Sequence, residues 1–201
     1  TTIHSWSGLG IRDSLSAYDL ESMESKQYLW KRFESVKVLI IDEISMMHDF
    51  RLDMIEKIIR HFKRNTKSFG GIQVVLVGDF FQLPPVSRDQ EPSKDKFAFM
   101  SKAWVEAAPV VCYLTEQYRQ TKNELNTILN QIRSNDVDES AVQLLQETRF
   151  NEHTIEPTKL YSHNADVDAM NEQELQGLQT DEEVFFAKKS GNPKMMEAFV
   201  K

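Results

Sequence analysis

Two short aliphatic runs, each followed by acidic residues, dominate the hydrophobic pattern of the chain. The first spans residues 36–41 and precedes Asp42 and Glu43, and the second spans residues 72–78 and precedes Asp79. Continuous β-branched and aliphatic runs of this length are typical of parallel strands that are buried on both faces. Because ligands of open α/β sheets bind at the carboxyl ends of the strands, we expect these acids to lie at a ligand site.

Apolar residues recur at helical spacing in the segments around these runs. The pattern predicts helices over residues 18–33, 48–62, 124–133, 139–146 and 166–178, the second with Asp49 as N-cap. Residues 1–10 are typical of a strand end that enters a turn, and further strands are predicted within 156–164 and 184–187. The chain is therefore predicted to have an α/β fold with a parallel sheet.

Composition indicates an ordinary globular protein. The 201 residues are 40% hydrophobic and 27% charged, which suffices for one good core or two small ones. The single cysteine, Cys112, offers neither a disulfide framework nor a metal cluster, so we expect a reducing compartment. The aliphatic runs are far shorter than the ~18 residues that a membrane helix needs, and we expect no membrane association.

The net charge of −7 and the sequence pI near 5.3 argue against a protein that grips nucleic acid by bulk positive potential. They do not exclude a narrow binding surface for single-stranded nucleic acid, because a few contacts to the backbone of the strand and stacking of its bases on aromatic rings can hold it.

Asp42 and Glu43 are suited to phosphoryl-transfer chemistry. An Asp at such a strand end can hold Mg²⁺, largely through its waters, and a neighbouring Glu can orient or deprotonate an attacking water. The alternative is that the pair merely caps the next helix. Downstream, Pro84 and Pro85 stiffen the loop that presents Gln82, so this amide could sense a terminal phosphate.

Three stretches together resemble successive motifs of superfamily 1 helicases, and with residues 2–10 they resemble the petite-integration-frequency (PIF) branch, related to RecD-type helicases. They are Leu-Ile-Ile-Asp-Glu-Ile-Ser-Met at 39–46, Gly-Asp-Phe-Phe-Gln-Leu-Pro-Pro-Val at 78–86 and Leu-Thr-Glu-Gln-Tyr-Arg-Gln at 114–120. The resemblance covers most of residues 1 to about 175. It implies ATP-driven, 5′ to 3′ translocation on single-stranded DNA with strand separation, and roles in DNA repair, recombination and telomere maintenance.

The resemblance also implies the nucleotide site. Asp42 would serve Mg²⁺, Glu43 the attacking water and Gln82 the γ-phosphate of ATP, and Arg119 would be an arginine finger. A guanidinium fork neutralises charge on phosphoryl oxygens better than a lysine does. The alternative for Arg119 is a surface ion pair with Glu116.

DNA contacts are expected at two places in the chain. The candidates are Thr2, His4, Ser5 and Trp6 near the start, and Tyr161, Ser162 and Asn164 later on. Trp6 fits equally well as a packed aromatic residue. His163 stands where the family usually has a small hydroxyl residue, and Ser162 and Asn164 could supply the backbone-phosphate contact instead.

By the same resemblance, residues 1–122 form a partial first RecA-like domain with a small insertion at about 11–35, and residues 123–201 begin a second. The chain lacks the sequence Gly-x-x-x-x-Gly-Lys-Ser/Thr, whose amides and lysine cradle phosphates. We therefore expect an internal piece of a longer helicase, inactive in isolation.

Two functional hypotheses follow. The first is a fragment of an ATP-dependent DNA helicase that acts on single-stranded, fork or duplex DNA as a monomer, with ATP and Mg²⁺ as cofactors. It would be cytoplasmic in a bacterium, and nuclear or mitochondrial in a eukaryote. The second is a non-catalytic nucleic-acid-binding or interaction module with a helicase-like fold.

Overall fold

The computed structural model describes residues 1–86, 96–116, 118, 123–151, 154, 157–178, 180 and 183–186. The chain divides into two compact units, Thr1–Ala141 and Val142–Lys201. The helices and strands, in chain order, are α1 Ile3–Ser7, α2 Ala17–Glu24, α3 Gln27–Ser35, β1 Val38–Ile41, α4 Asp49–Lys63, β2 Gln73–Leu76, α5 Lys102–Ala107, α6 Asn123–Ser134, α7 Glu139–Thr148 and α8 Asn164–Gln176. Short 3₁₀ helices lie at Ile44–Met46, Ser68–Gly71 and Ala98–Met100.

Strands β1 and β2 pair in parallel, which confirms the predicted sheet. Val38 is opposite Gln73 and Ile41 is opposite Leu76. The pairing continues past both strands, because the Val77 N–H donates to the Ile41 carbonyl at 2.9 Å and the Ile44 N–H donates to the Val77 carbonyl at 3.0 Å. The two strand ends are therefore held side by side.

Only one face of β1 is buried in the described part of the chain. Leu39 and Ile41 lie in the core, whereas Val38 and Ile40 are 46% and 65% exposed. The prediction of burial on both faces is therefore wrong for these residues. A continuous aliphatic run satisfies either arrangement, since periodicity alone does not tell which face a neighbouring element covers.

The core of the first unit is built around α4. Leu52, Ile55, Ile58 and Ile59 on this helix are fully buried. Its last buried aromatic residue, Phe62, stacks on Phe33 with ring centroids 4.9 Å apart. The core thus joins the long crossover helix between β1 and β2 to helix α3.

Two predictions need correction, the strand end at residues 1–10 and the N-cap of the helix that follows β1. Residues 3–7 are helical, not the end of a strand, because the Thr2 hydroxyl accepts from the Ser5 N–H at 3.3 Å and Gly8, with φ of 79°, ends the turn. In α4 the N-cap is His48, and Asp49 is the first helical residue. At this position the negative charge of Asp49 still interacts favourably with the positive end of the helix dipole.

The predicted helix over residues 18–33 is two helices. Ser16 and Asp19 form a reciprocal capping box at the start of α2. This helix ends at its C-cap, Ser25, before α3 begins. The Trp30 indole N–H donates to the Glu24 carbonyl at 2.8 Å, which uses one of the acceptors left at the end of α2.

The later elements follow the prediction in part. Helices α6, α7 and α8 confirm the predicted helices to within a few residues. Residues 157–160 and 184–186 have no regular structure, so the strands predicted there are wrong, while 156 and 187 lie outside the described residues. Among the described helices, none has the length and apolar character to cross a membrane.

We expect Phe33→Ala to lower the free energy of unfolding of the chain by about 3–5 kcal/mol, because the ring is fully buried between Trp6 and Phe62. Urea denaturation measures the loss. The matched control is Tyr28→Ala on the same helix, where the ring is 53% exposed, and we expect a loss of no more than about 1 kcal/mol. Equal losses for the two variants would contradict this account of the core.

Candidate functional site

The acidic residues lie together at one edge of the parallel pair. Asp42 and Glu43 directly follow β1, and Asp79 comes three residues after the end of β2. The side chains of Asp42 and Glu43 are exposed, and the Asp42 Oδ1 accepts from the Glu43 N–H at 2.9 Å. The adjacent strand ends therefore bring the predicted carboxylates to a shared, solvent-accessible edge, where they could orient a water or hold a cation.

Glu43 has a left-handed backbone, with φ of 53° and ψ of 43°. Among the described residues Arg64, Phe69, Ala108 and Asn135 also have positive φ. Arg64 and Ala108 are helix C-caps, where this conformation is common, Asn135 directly follows α6, and Phe69 lies in the 3₁₀ helix at Ser68–Gly71. Glu43 instead precedes a 3₁₀ helix, and its side chain makes no capping hydrogen bond to that helix. The helix-cap alternative therefore does not explain this glutamate, and strained backbone of this kind concentrates at functional sites.

Gly78 lets the two loops at this edge touch. A Cβ placed on Gly78 would lie 3.0 Å from both the backbone nitrogen and the Cγ2 of Ile44. The loop after β2 thus passes directly over the residue that follows Glu43. Glycine is required here by close approach of the two backbones.

Asp79 organises its own loop. Its Oδ1 accepts from the Phe81 N–H at 3.0 Å, and its Oδ2 accepts from Arg133 Nη2 at 2.5 Å and from Gln82 Nε2 at 3.4 Å. Burial raises the pKa of Asp79, but the hydrogen bonds and the Arg133 charge outweigh it, so the net pKa lies below its ordinary value. Asp79 is thus an ionised acceptor inside the loop.

Gln82 is exposed beside Asp79, as the stiff-loop prediction requires. Its backbone N–H donates to the Asp79 carbonyl at 3.0 Å. Further along, Pro85 is buried and the Val86 carbonyl contacts His48 Nε2 at 3.0 Å, which ties this loop to the start of α4. Arg119, the remaining predicted member of the nucleotide site, lies outside the described residues.

Two residues at this edge were missed by the sequence analysis in their site roles. The sequence alone indicates a surface or helix-end position for His48 and a position in a predicted helix for Arg133. An isolated histidine or arginine carries no spacing signal that names its partner. Both contacts join residues far apart in sequence, His48 with Val86 and Arg133 with Asp79.

The first group of predicted DNA contacts lies on and beside α1. The Thr2 hydroxyl serves as the helix cap, and Ser5 is exposed. Burial, and after it the charge of Arg51, lowers the pKa of His4 and favours its neutral form. Trp6 is half-buried and meets Phe33 edge-on at 5.1 Å, which favours the packing alternative for this ring.

The second group lies in the second unit, at the start of α8. Tyr161 and Ser162 precede the helix, and Asn164 is its first residue. The Ser162 hydroxyl lies 2.9 Å from Nδ1 of His163, the helix N-cap. His163, which departs from the family pattern, is thus in contact with Ser162, one of the two residues expected to make the phosphate contact in its place.

Among the described residues, no three His, Cys, Asp or Glu side chains lie close enough together to form a set of metal ligands. Asp42 is a single exposed carboxylate with one oxygen bonded to the Glu43 N–H. This environment fits Mg²⁺, which keeps several waters and commonly takes one or two carboxylates together with substrate phosphates.

Comparison with known proteins gives concordant matches. The family model described as PIF1-like helicase matches residues 1–148. A relative, ATP-dependent DNA helicase Pif1 of Psychrobacter sp. (strain PRwf-1), is 45% identical over 208 residues, which covers 100% of this chain and 32% of the relative. The chain therefore spans about a third of that relative's length.

Solved structures resemble the chain as well. The crystal structure of Pif1 helicase from Candida albicans matches with a TM-score of 0.83 and 29% identity, covering 98% of this chain and 45% of that one. Pif1 helicase from Bacteroides, in complex with ADP-AlF3 and ssDNA, matches with a TM-score of 0.71 and 28% identity, covering 90% and 44%.

We expect Gly78→Ala to destabilise the chain by about 1–3 kcal/mol, because the new methyl group must push the loop after β2 away from Ile44. Urea denaturation measures the change. Gly177→Ala is the control, since that glycine has φ of −73° at the end of α8. If Gly78→Ala were no more costly than the control, the two loops would not be in the contact described.

Proposed function

The chain belongs to the PIF1-like helicase family, and on that premise we propose that it is part of an ATP-dependent DNA helicase that moves 5′ to 3′ on single-stranded DNA and separates duplexes. The observation that carries the proposal is the edge of the parallel pair, where Asp42, Glu43 and Gln82 stand exposed on adjoining loops. The proposed nucleotide is ATP with Mg²⁺. The ADP-AlF3 and ssDNA bound to the Bacteroides relative support both ligand classes.

Glu43 is proposed as the residue that activates the attacking water. Its carboxylate is exposed, its backbone conformation costs free energy, and its side chain does not cap the following helix. A structural role would not call for this combination. Asp42 beside it would hold Mg²⁺, which supplies charge neutralisation on the phosphate oxygens when bound.

Gln82 is proposed to contact the γ-phosphate. The amide stands on a loop fixed at both ends, by the bonds of the Phe81 and Gln82 backbone N–H groups to Asp79 before it and by the buried Pro85 after it. Fixing the loop in advance removes entropy that would otherwise be lost on each binding event. Arg119 is proposed as the arginine finger from its motif position.

Single-stranded DNA is the proposed partner, with fork and duplex DNA as substrates for separation. Ser5 and His4 at α1, and Tyr161, Ser162 and Asn164 at α8, are proposed contacts. Exposed hydroxyl and amide groups suit phosphate oxygens, and the exposed ring of Tyr161 suits a base. Assembly as a monomer and the division into RecA-like domains at residues 122 and 123 stay predictions.

Hydrolysis is proposed to need the longer protein, because these 201 residues contain no Gly-x-x-x-x-Gly-Lys-Ser/Thr sequence. The second candidate, a non-catalytic binding module, would also suit a chain without this loop. It gives no account of the strained, uncapped Glu43. A scaffold would be more stable with glycine or asparagine at that backbone position.

We expect Glu43→Gln, made in the longer protein that contains this chain, to lower DNA-stimulated ATP turnover by about 10²-fold or more, because the amide keeps the shape but cannot accept the proton of water. ATP affinity should change little. Steady-state hydrolysis and equilibrium nucleotide binding are the two measurements. Glu21→Gln, an exposed position on α2, is the matched control and should behave as wild type. Turnover within a factor of a few of wild type would remove Glu43 from this role.

We expect Arg119→Lys to lower DNA-stimulated hydrolysis by about 10³-fold, because lysine keeps the charge but loses the planar fork. DNA affinity without nucleotide should stay close to that of wild type. Parallel assays of hydrolysis and of single-stranded DNA binding separate the two effects. A defect mainly in DNA affinity would instead assign Arg119 to DNA binding.

A further inference from the structure

Arg133 on α6 reaches the loop that follows β2. Its Nη2 lies 2.5 Å from the Asp79 Oδ2, and its guanidinium carbon lies 5.7 Å from the centre of the Phe81 ring. The two residues are separated by 54 positions in the chain. A carboxylate on one side and an aromatic ring on the other thus fix the guanidinium over this loop.

The Asp79 carboxylate is the less exposed partner of the pair. Its side chain is 19% exposed, against 52% for Arg133. A partly buried carboxylate needs donors, and among the described residues it has three: the Phe81 N–H on Oδ1, and Arg133 and Gln82 on Oδ2. Arg133 is the only one of the three that carries a charge.

Arg133 and Gln82 share a single oxygen. The arginine holds the Asp79 Oδ2 at 2.5 Å, whereas the Gln82 amide stands off at 3.4 Å, close to the limit of a hydrogen bond. Without the arginine, Oδ2 would be open to a closer bond from the amide. That bond would draw the Gln82 side chain back onto its own loop.

We propose that Arg133 is a positioning residue for ATP hydrolysis: by occupying the Asp79 Oδ2 it keeps the Gln82 amide available to the nucleotide. The inference rests on the proposed function, since it assigns Arg133 a task only if Gln82 contacts the γ-phosphate. It also makes the placement of α6 a condition for hydrolysis. A displacement of α6 that withdraws Arg133 releases Oδ2 and lets Asp79 capture Gln82.

The test is a double-mutant cycle in the longer protein, with DNA-stimulated ATP hydrolysis as the readout. We expect Arg133→Ala to lower kcat about tenfold with the KM for ATP changed less than about twofold, because a positioning defect acts on the reacting geometry. Gln82→Ala should lower kcat at least as much. The double variant should be no slower than Gln82→Ala alone, since Arg133 acts through Gln82.

Two further variants separate positioning from folding. Arg133→Lys keeps a charged donor for Oδ2 and should recover at least half of the wild-type kcat. Gln131→Ala is the matched control on the same helix, where the side chain bonds Asp138 instead, and it should leave kcat unchanged. Thermal unfolding midpoints should agree among the variants. If Arg133→Ala does not fold, Arg133→Gln takes its place in the cycle with the same expectations.

The outcomes distinguish this inference from the function on which it rests. The positioning role is overturned if the defects of Arg133→Ala and Gln82→Ala multiply in the double variant, or if Arg133→Ala has wild-type kcat. In either case a severe defect of Glu43→Gln leaves the helicase proposal intact. Wild-type kcat in Gln82→Ala overturns the inference at its premise. Wild-type turnover in Glu43→Gln overturns the proposed function itself.

Discussion

The parallel pairing of β1 with β2, prolonged by the hydrogen bonds among Ile41, Val77 and Ile44, is the constraint on which the rest of the site depends. It fixes where both loops begin. Because the loops leave from hydrogen-bonded neighbours, Asp42 and Asp79 have little freedom in their relative placement. The absence of a side chain at Gly78 then allows the second loop to cross the first in direct contact.

The hydrophobic core supports this edge from one side. Helix α4 connects the two strands and buries a continuous apolar stripe, and the stacked rings of Phe33 and Phe62 join it to α3. At its start, His48 occupies the N-cap position and contacts the Val86 carbonyl. The same helix that secures the core therefore also anchors the far end of the loop that presents Gln82.

The sequence predicted the parallel pair, its acidic ends and the rigid loop, because aliphatic runs, Gly-Asp and Pro-Pro are local signals with local causes. It did not predict α1, where one hydroxyl cap turns an apparent strand end into a helix. Nor did it predict the break between α2 and α3, since apolar spacing continues across it. The contact of Arg133 with Asp79 lay beyond it altogether, because long-range pairing depends on tertiary placement.

At Glu43, which has a left-handed backbone, the residue that suits the proposed chemistry is not the residue that would make the fold most stable. Glycine or asparagine would relieve the conformational cost there, so a screen that rewards heat resistance alone would favour variants without the carboxylate. A library built to stabilise this protein should therefore hold position 43 fixed, and the gain that such a screen would find there measures how much folding energy the site gives up.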